Sequence, residues 1–118
     1  MKMGIKSLVA ASGLLMSLPS IAAETFQVSS SIYRNGELVE SPVMVVEADK
    51  KAYMTIGDDF RYDLTVSSKS EDTAQVQAAV NVGNSIINPS LTVFYDKEAS
   101  VEVGDTKLTV LVSKHENP

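Results

Sequence analysis

Few side chains in this sequence could do chemistry, and they are scattered. His115 is the only histidine among 118 residues and cysteine is absent. A transition-metal centre or a thiol nucleophile therefore lacks its usual ligands and bases. His115 also lies near the C-terminus, in a segment expected to fray, where a solvated imidazole is the natural reading. The serines run as Ser29-Ser30-Ser31 and Ser67-Ser68, without the G-x-S-x-G elbow that presents a nucleophile. They read as the polar face of alternating strands. Carboxylates group at Asp58, Asp59 and Asp63, and a second group is available from Asp96, Glu98, Glu102 and Asp105. Calcium needs about six to eight oxygens around one point, and the EF-hand spacing is absent. Solvated turn carboxylates are the expectation, with a weak calcium site at Gly57–Asp59 and Gly104–Asp105 as the alternative. Glycines fall singly at turns and form no phosphate cradle. The sequence thus reads as a non-enzyme with no cofactor and no metal.

The first 23 residues suggest where such a protein works. Lys2 and Lys6 precede an uncharged run from Ser7 to Ala23 whose apolar centre is short for a bilayer span. Pro19 and the small residues Ser20, Ala22 and Ala23 fit cleavage after Ala22 or Ala23. Residues 1–23 are therefore expected to be a secretory signal and 24–118 a single exported domain, periplasmic or extracellular, with no lipid-anchor cysteine and no stable membrane insertion. Without Lys2 and Lys6, 8 basic side chains face 15 acidic ones, a charge of −7. That sign disfavours nucleic acid and anionic lipid as partners. With no disulfide available, the domain must hold together by packing.

After Ala23 the apolar pattern alternates in short runs rich in Val, Ile, Thr and Tyr, separated by turn residues. Strands are expected at Thr25–Arg34, Glu37–Glu47, Ala52–Ile56, Arg61–Ser68, Ala74–Val82, Ser90–Tyr95, Ala99–Val103 and Lys107–Lys114. The first turn, Asn35-Gly36, favours a two-residue type I′ loop, which fixes register. It sets Tyr33 beside Leu38 and pairs Ile32 with Val39, Val28 with Val43 and Phe26 with Val45.

Residues 41–58 align without gaps on 88–105. Identities fall at Pro42/Pro89, Val46/Val93, Asp49/Asp96, Lys50/Lys97, Ala52/Ala99, Gly57/Gly104 and Asp58/Asp105. Each identity has a structural reason. Proline opens a strand, Asp-Lys turns it, alanine fits the tight site after the turn, and Gly-Asp ends the return strand. The reading is a β-hairpin used twice, pairing Val46 with Met54, Met44 with Ile56, Val93 with Val101 and Leu91 with Val103. One more strand follows each copy, giving repeat units of 41–66 and 88–112. This face conflicts with the one set by Asn35-Gly36. Either Pro42 sits at a bulge that switches faces, or the strand is covered on both sides. The expected fold is all-β, a two-layer immunoglobulin-like sandwich of about eight antiparallel strands containing the duplicated hairpin.

The set Pro89, Leu91, Val93, Ala99, Val101, Val103 and Gly104, with its counterpart from Pro42 to Gly57, resembles the β-hairpin of outer-membrane secretins and of small bacterial periplasmic β proteins. The likeness covers about a third of the exported chain. Secretins are several times longer, and the rest of their pore-forming region has no counterpart here, so the resemblance does not imply a pore. The expected function is that of a non-enzymatic accessory module binding another envelope protein, through an exposed sheet edge, for which Thr25–Arg34 is the candidate strand, or through a loop cluster. The alternative is a structural subunit of a surface or envelope assembly.

Overall fold

The computed structural model describes residues 24–115, so the export signal expected at 1–23 lies outside the described residues. Within them ten strands form: β1 (Thr25–Arg34), β2 (Glu37–Glu40), β3 (Val43–Glu47), β4 (Ala52–Ile56), β5 (Phe60–Ser68), β6 (Thr73–Val82), β7 (Ser85–Ile87), β8 (Ser90–Phe94), β9 (Ala99–Val103) and β10 (Thr106–His115). They make two antiparallel five-stranded sheets packed as a β-sandwich. The first runs β2-β1-β10-β9 with β3 also on β1; the second runs β4-β5-β6-β7 with β8 also on β6. Thus β2 and β3 line one side of β1 as a single interrupted strand, and β7 and β8 do the same for β6. The likeness to an immunoglobulin domain is one of size and layering: β1–β2, β4–β5, β5–β6, β6–β7 and β9–β10 are joined directly, while the central pair β1–β10 joins strands from opposite ends of the described residues.

Period-two alternation drives this packing. Phe26, Val28 and Ile32 of β1, Tyr62, Leu64 and Val66 of β5, Val76 and Val80 of β6, and Leu108, Val110 and Val112 of β10 all point into one shared core. Intervening residues face outward and are largely Ser, Thr, Gln, Asn or charged.

The duplicated stretch does not form a hairpin. β3 pairs with β1 and β4 with β5, so the corner at Asp49-Lys50 carries the chain from one sheet to the other; Asp96-Lys97, between β8 on β6 and β9 on β10, carries it back. The expected ladder partners Val46 and Met54, Met44 and Ile56, Val93 and Val101, and Leu91 and Val103 lie in opposite sheets. Alternation reveals which side chains face the core, and Val46, Val93, Met44, Met54, Leu91 and Val101 do pack there. It does not reveal which strand supplies the hydrogen bonds. The corner makes that choice: Asp49 takes φ +64° and its N–H donates to Val66 O at 2.8 Å, while Asp96 takes φ +64° and donates to Val112 O at 2.8 Å. The secretin resemblance is accordingly one of sequence pattern and not of strand pairing.

The face conflict resolves through a bulge. Arg34 pairs with Glu37 and Tyr33 with Leu38, as a tight Asn35-Gly36 turn with both residues at positive φ requires. The register then shifts, with Ile32 opposite Glu40 and Val39 left over. From there Phe26 meets Val46 and not Val45, Val28 meets Met44 and not Val43, and Ile32 has lost Val39. The shift lies just ahead of Pro42. The proline carbonyl accepts a hydrogen bond from Ser30 N at 2.9 Å, so Pro42 occupies a bonded site opposite Ser30.

The same pairing scheme recurs in both halves of the chain. β1 through β5 occupy positions matched by β6 through β10, and the turn bonds repeat: Ala48 N to Glu24 O and Tyr95 N to Asp72 O, Asn35 N to Asp105 O and Gly83 N to Asp59 O. β7, too short to stand out in the sequence, is the counterpart of β2. Seven residues separate Arg34 from Pro42 and six separate Val82 from Pro89, so Val39 is the extra residue that makes the bulge.

Candidate interaction surface

The polar residues singled out in the sequence do not converge. Asp63 is tied to Arg61 Nε at 2.9 Å and Lys51 Nζ at 3.5 Å on the outer face of the second sheet, while Asp58 and Asp59 sit on the exposed β4–β5 turn. Asp96 accepts from Ser113 Oγ at 2.7 Å, and Asp105 lies 3.5 Å from Arg34 Nε. Among the described residues no group of three or more His, Cys, Asp or Glu side chains is placed to hold a metal ion. His115 is not in a frayed tail: it ends β10 opposite Thr25, whose Oγ1 donates to the His115 carbonyl at 2.8 Å. Pairing of β1 with β10 along ten residues holds both ends of the described segment in the first sheet.

The repeat residues serve the frame. Pro42 and Pro89 are buried and give their carbonyls to Ser30 N and Ala78 N at 2.9 and 3.0 Å. Val46 and Val93 are core residues, 3% and 1% exposed, and Ala52 and Ala99 pack against the same core. Lys50 N and Lys97 N close the corners on Glu47 O and Phe94 O. Gly57 and Gly104 hold φ near +60° at the ends of β4 and β9, a region open to glycine without strain.

Thr25–Arg34 is not an edge. β1 is paired on both sides, by β10 and by β2 with β3. It is pinned centrally because its alternate residues are buried and its partner β10 comes from the far end of the chain, which no local pattern announces. Among the described residues the free edges are β2–β3, β9, β4 and β7–β8. Among the described residues, all nine large apolar side chains left exposed lie on them: Leu38 and Val39, Val43 and Val45, Tyr53 and Ile56, Ile86, Phe94 and Val103.

The two sheets differ on their outer faces despite their matched topology. In the second, Ser90 and Thr92 of β8 are linked to Gln75, with Gln75 Nε2 donating to Ser90 Oγ at 2.7 Å and Thr92 Oγ1 donating to Gln75 Oε1 at 2.9 Å. Arg61 lies 4.7 Å over the Tyr53 ring. In the first sheet the positions corresponding to Ser90 and Thr92 are Val43 and Val45, 63% and 56% exposed. Val43 continues across Ser29 to Leu111, and Val45 across Gln27 to Ser113, two rows without a charge. Bonding of Pro42 to Ser30 directs the even-numbered residues of β3 toward β1, so the N–H and C=O groups of Val43, Val45 and Glu47 point away from the sheet. An unpaired backbone row beside exposed valines is what a strand from another chain can extend. Sequence reasoning missed this edge because the bulge at Val39 reversed the face assigned to Val43 and Val45.

Among the described residues no helix is long and apolar enough to cross a membrane. Compared with known proteins, the chain matches no protein-family model, no curated protein and no solved structure.

Proposed function

We propose that this is a small exported, non-enzymatic binding module that engages another envelope protein by accepting one of its strands along the β2–β3 edge. The observation that carries the reading is the pair Val43 and Val45, exposed on an unpaired edge where the matched positions Ser90 and Thr92 are polar and bonded. Burying two exposed valines contributes about 1.5–3 kcal/mol each at full burial, and the uncharged rows behind them remove no salt bridge on docking. The ordered core offers the rigid template that strand addition needs.

The test uses the geometry of the edge. In Val45→Pro the lost N–H points outward, so the β1 ladder keeps its bonds while strand addition is blocked. Thr92→Pro makes the matched change on β8. With the exported domain as bait on envelope extract, the protein retained by wild type and by Thr92→Pro is expected to be lost with Val45→Pro. Equal retention by all three removes the β2–β3 edge from the reading.

A further inference from the structure

Neither half of this chain owns a sheet. Residues 25–68 supply β1, β2 and β3 to the first sheet and β4 and β5 to the second, while 73–115 supply β6, β7 and β8 to the second and β9 and β10 to the first. The two longest ladders run between the halves: ten residue pairs join β1 to β10 and nine join β5 to β6. A half by itself would leave β1 and β5 bare along one side and would cover only part of the core.

One short connection joins these interlaced halves. Lys69–Asp72 is exposed, and its turn is held by local bonds, Lys69 N and Ser70 N to Thr73 O at 3.0 and 3.2 Å and a 2.6 Å bond between Ser70 Oγ and Thr73 Oγ1, with one backbone bond beyond it, from Tyr95 N to Asp72 O at 3.1 Å. Its only side-chain tie elsewhere among the described residues is Lys69 Nζ to Thr92 Oγ1 at 3.2 Å. No apolar residue of the core lies in it.

From this division we infer a second partner: another copy of the same chain, taken up by exchange of halves. If the 69–72 turn straightens, residues 25–68 of one chain complete both sheets with 73–115 of a second, and the reciprocal pair forms alongside. Every ladder and core contact is retained, and only the turn changes, so closure of that turn against protein concentration sets the balance between monomer and dimer. The exchange consumes the β5–β6 and β1–β10 ladders and leaves the β2–β3 edge open, so it does not depend on the binding reading above.

Deleting Ser70, Glu71 and Asp72 from the exported domain leaves only Lys69-Thr73 to join the paired residues Ser68 and Ala74, a two-residue loop that needs positive φ and suits neither side chain, so return of β5 onto β6 within one chain becomes costly. The shortened protein is expected at twice the monomer mass by light scattering, with the wild-type circular dichroism spectrum, whereas ten Gly/Ser residues inserted after Ser70 keep it monomeric. Adding Val43→Lys and Val45→Lys to the shortened chain is expected to leave the dimer intact. A folded monomer from the deletion, or a dimer dissolved by the lysines, overturns the proposal. Should the deletion not fold, wild-type protein refolded at high concentration decides: a dimer that persists on dilution supports exchange, and monomer alone refutes it.

Discussion

Ser30 Oγ of β1 and Tyr62 Oη of β5 share a hydrogen bond of 2.7 Å in the core, linking one sheet to the other. In the matched half the corresponding positions are Ala78 and Leu108, both apolar. The polar pair is therefore one of two solutions to the same site, each complete in itself. Breaking it by halves strands a buried hydroxyl, which costs about 1–3 kcal/mol. Ser30→Ala and Tyr62→Phe should each destabilise by that amount, and the double variant should lose less than the sum of the two. Urea unfolding of the four proteins measures the coupling; strict additivity would refute it.

Burial pushes the Tyr62 phenol up from 10.0 to about 12, with the Ser30 bond drawing it partly back. The unfolded chain releases this proton near pH 10 and the folded chain only near 12. The unfolded state therefore binds fewer protons in that window. Stability from Tyr62 is complete below pH 10 and falls as pH rises toward 12, by at most about 1.4 kcal/mol per pH unit. The fall should be shallower in Tyr62→Phe, measured by denaturant unfolding across the same pH range.

Asp49 and Asp96 hold the sheet-to-sheet corners at φ +64°. Aspartate and asparagine tolerate this region better than branched residues. Asp49→Asn is expected to leave the midpoint of thermal unfolding nearly unchanged, and Asp49→Val to cost about 1–2 kcal/mol. Equal midpoints for the two variants would show that the corner does not depend on the left-handed conformation.

Val39 is surplus to the β1–β2 ladder, and the matched β6–β7 ladder does without such a residue. Its deletion should be accepted with a loss below about 1 kcal/mol, within the range of changes away from the core. Deleting Val45 instead slips the β3 register by one, exposes Val46 and buries polar neighbours. That variant is expected to unfold or to melt far lower, as seen by circular dichroism.

What the residues determined on their own is local. Alternation marked nearly every strand and its buried face, Asn35-Gly36 set the first two pairs of its hairpin, and the 47-residue offset linking Val46 to Val93 and Asp49 to Asp96 stood in plain view. Absence of cysteine and a lone histidine narrowed the chemistry. The third dimension decided what alternation cannot encode. Side-chain period reports an inward face but is silent on which strand lies alongside, so only the folded chain could place β10 beside β1, turn the Asp-Lys hairpins into bridges between sheets, and bring Ser30 to Tyr62. One surplus residue, Val39, then shifted the register that Asn35-Gly36 had set, so that Val46 went to the core while Val43 and Val45 stayed exposed on the edge on which the binding reading rests.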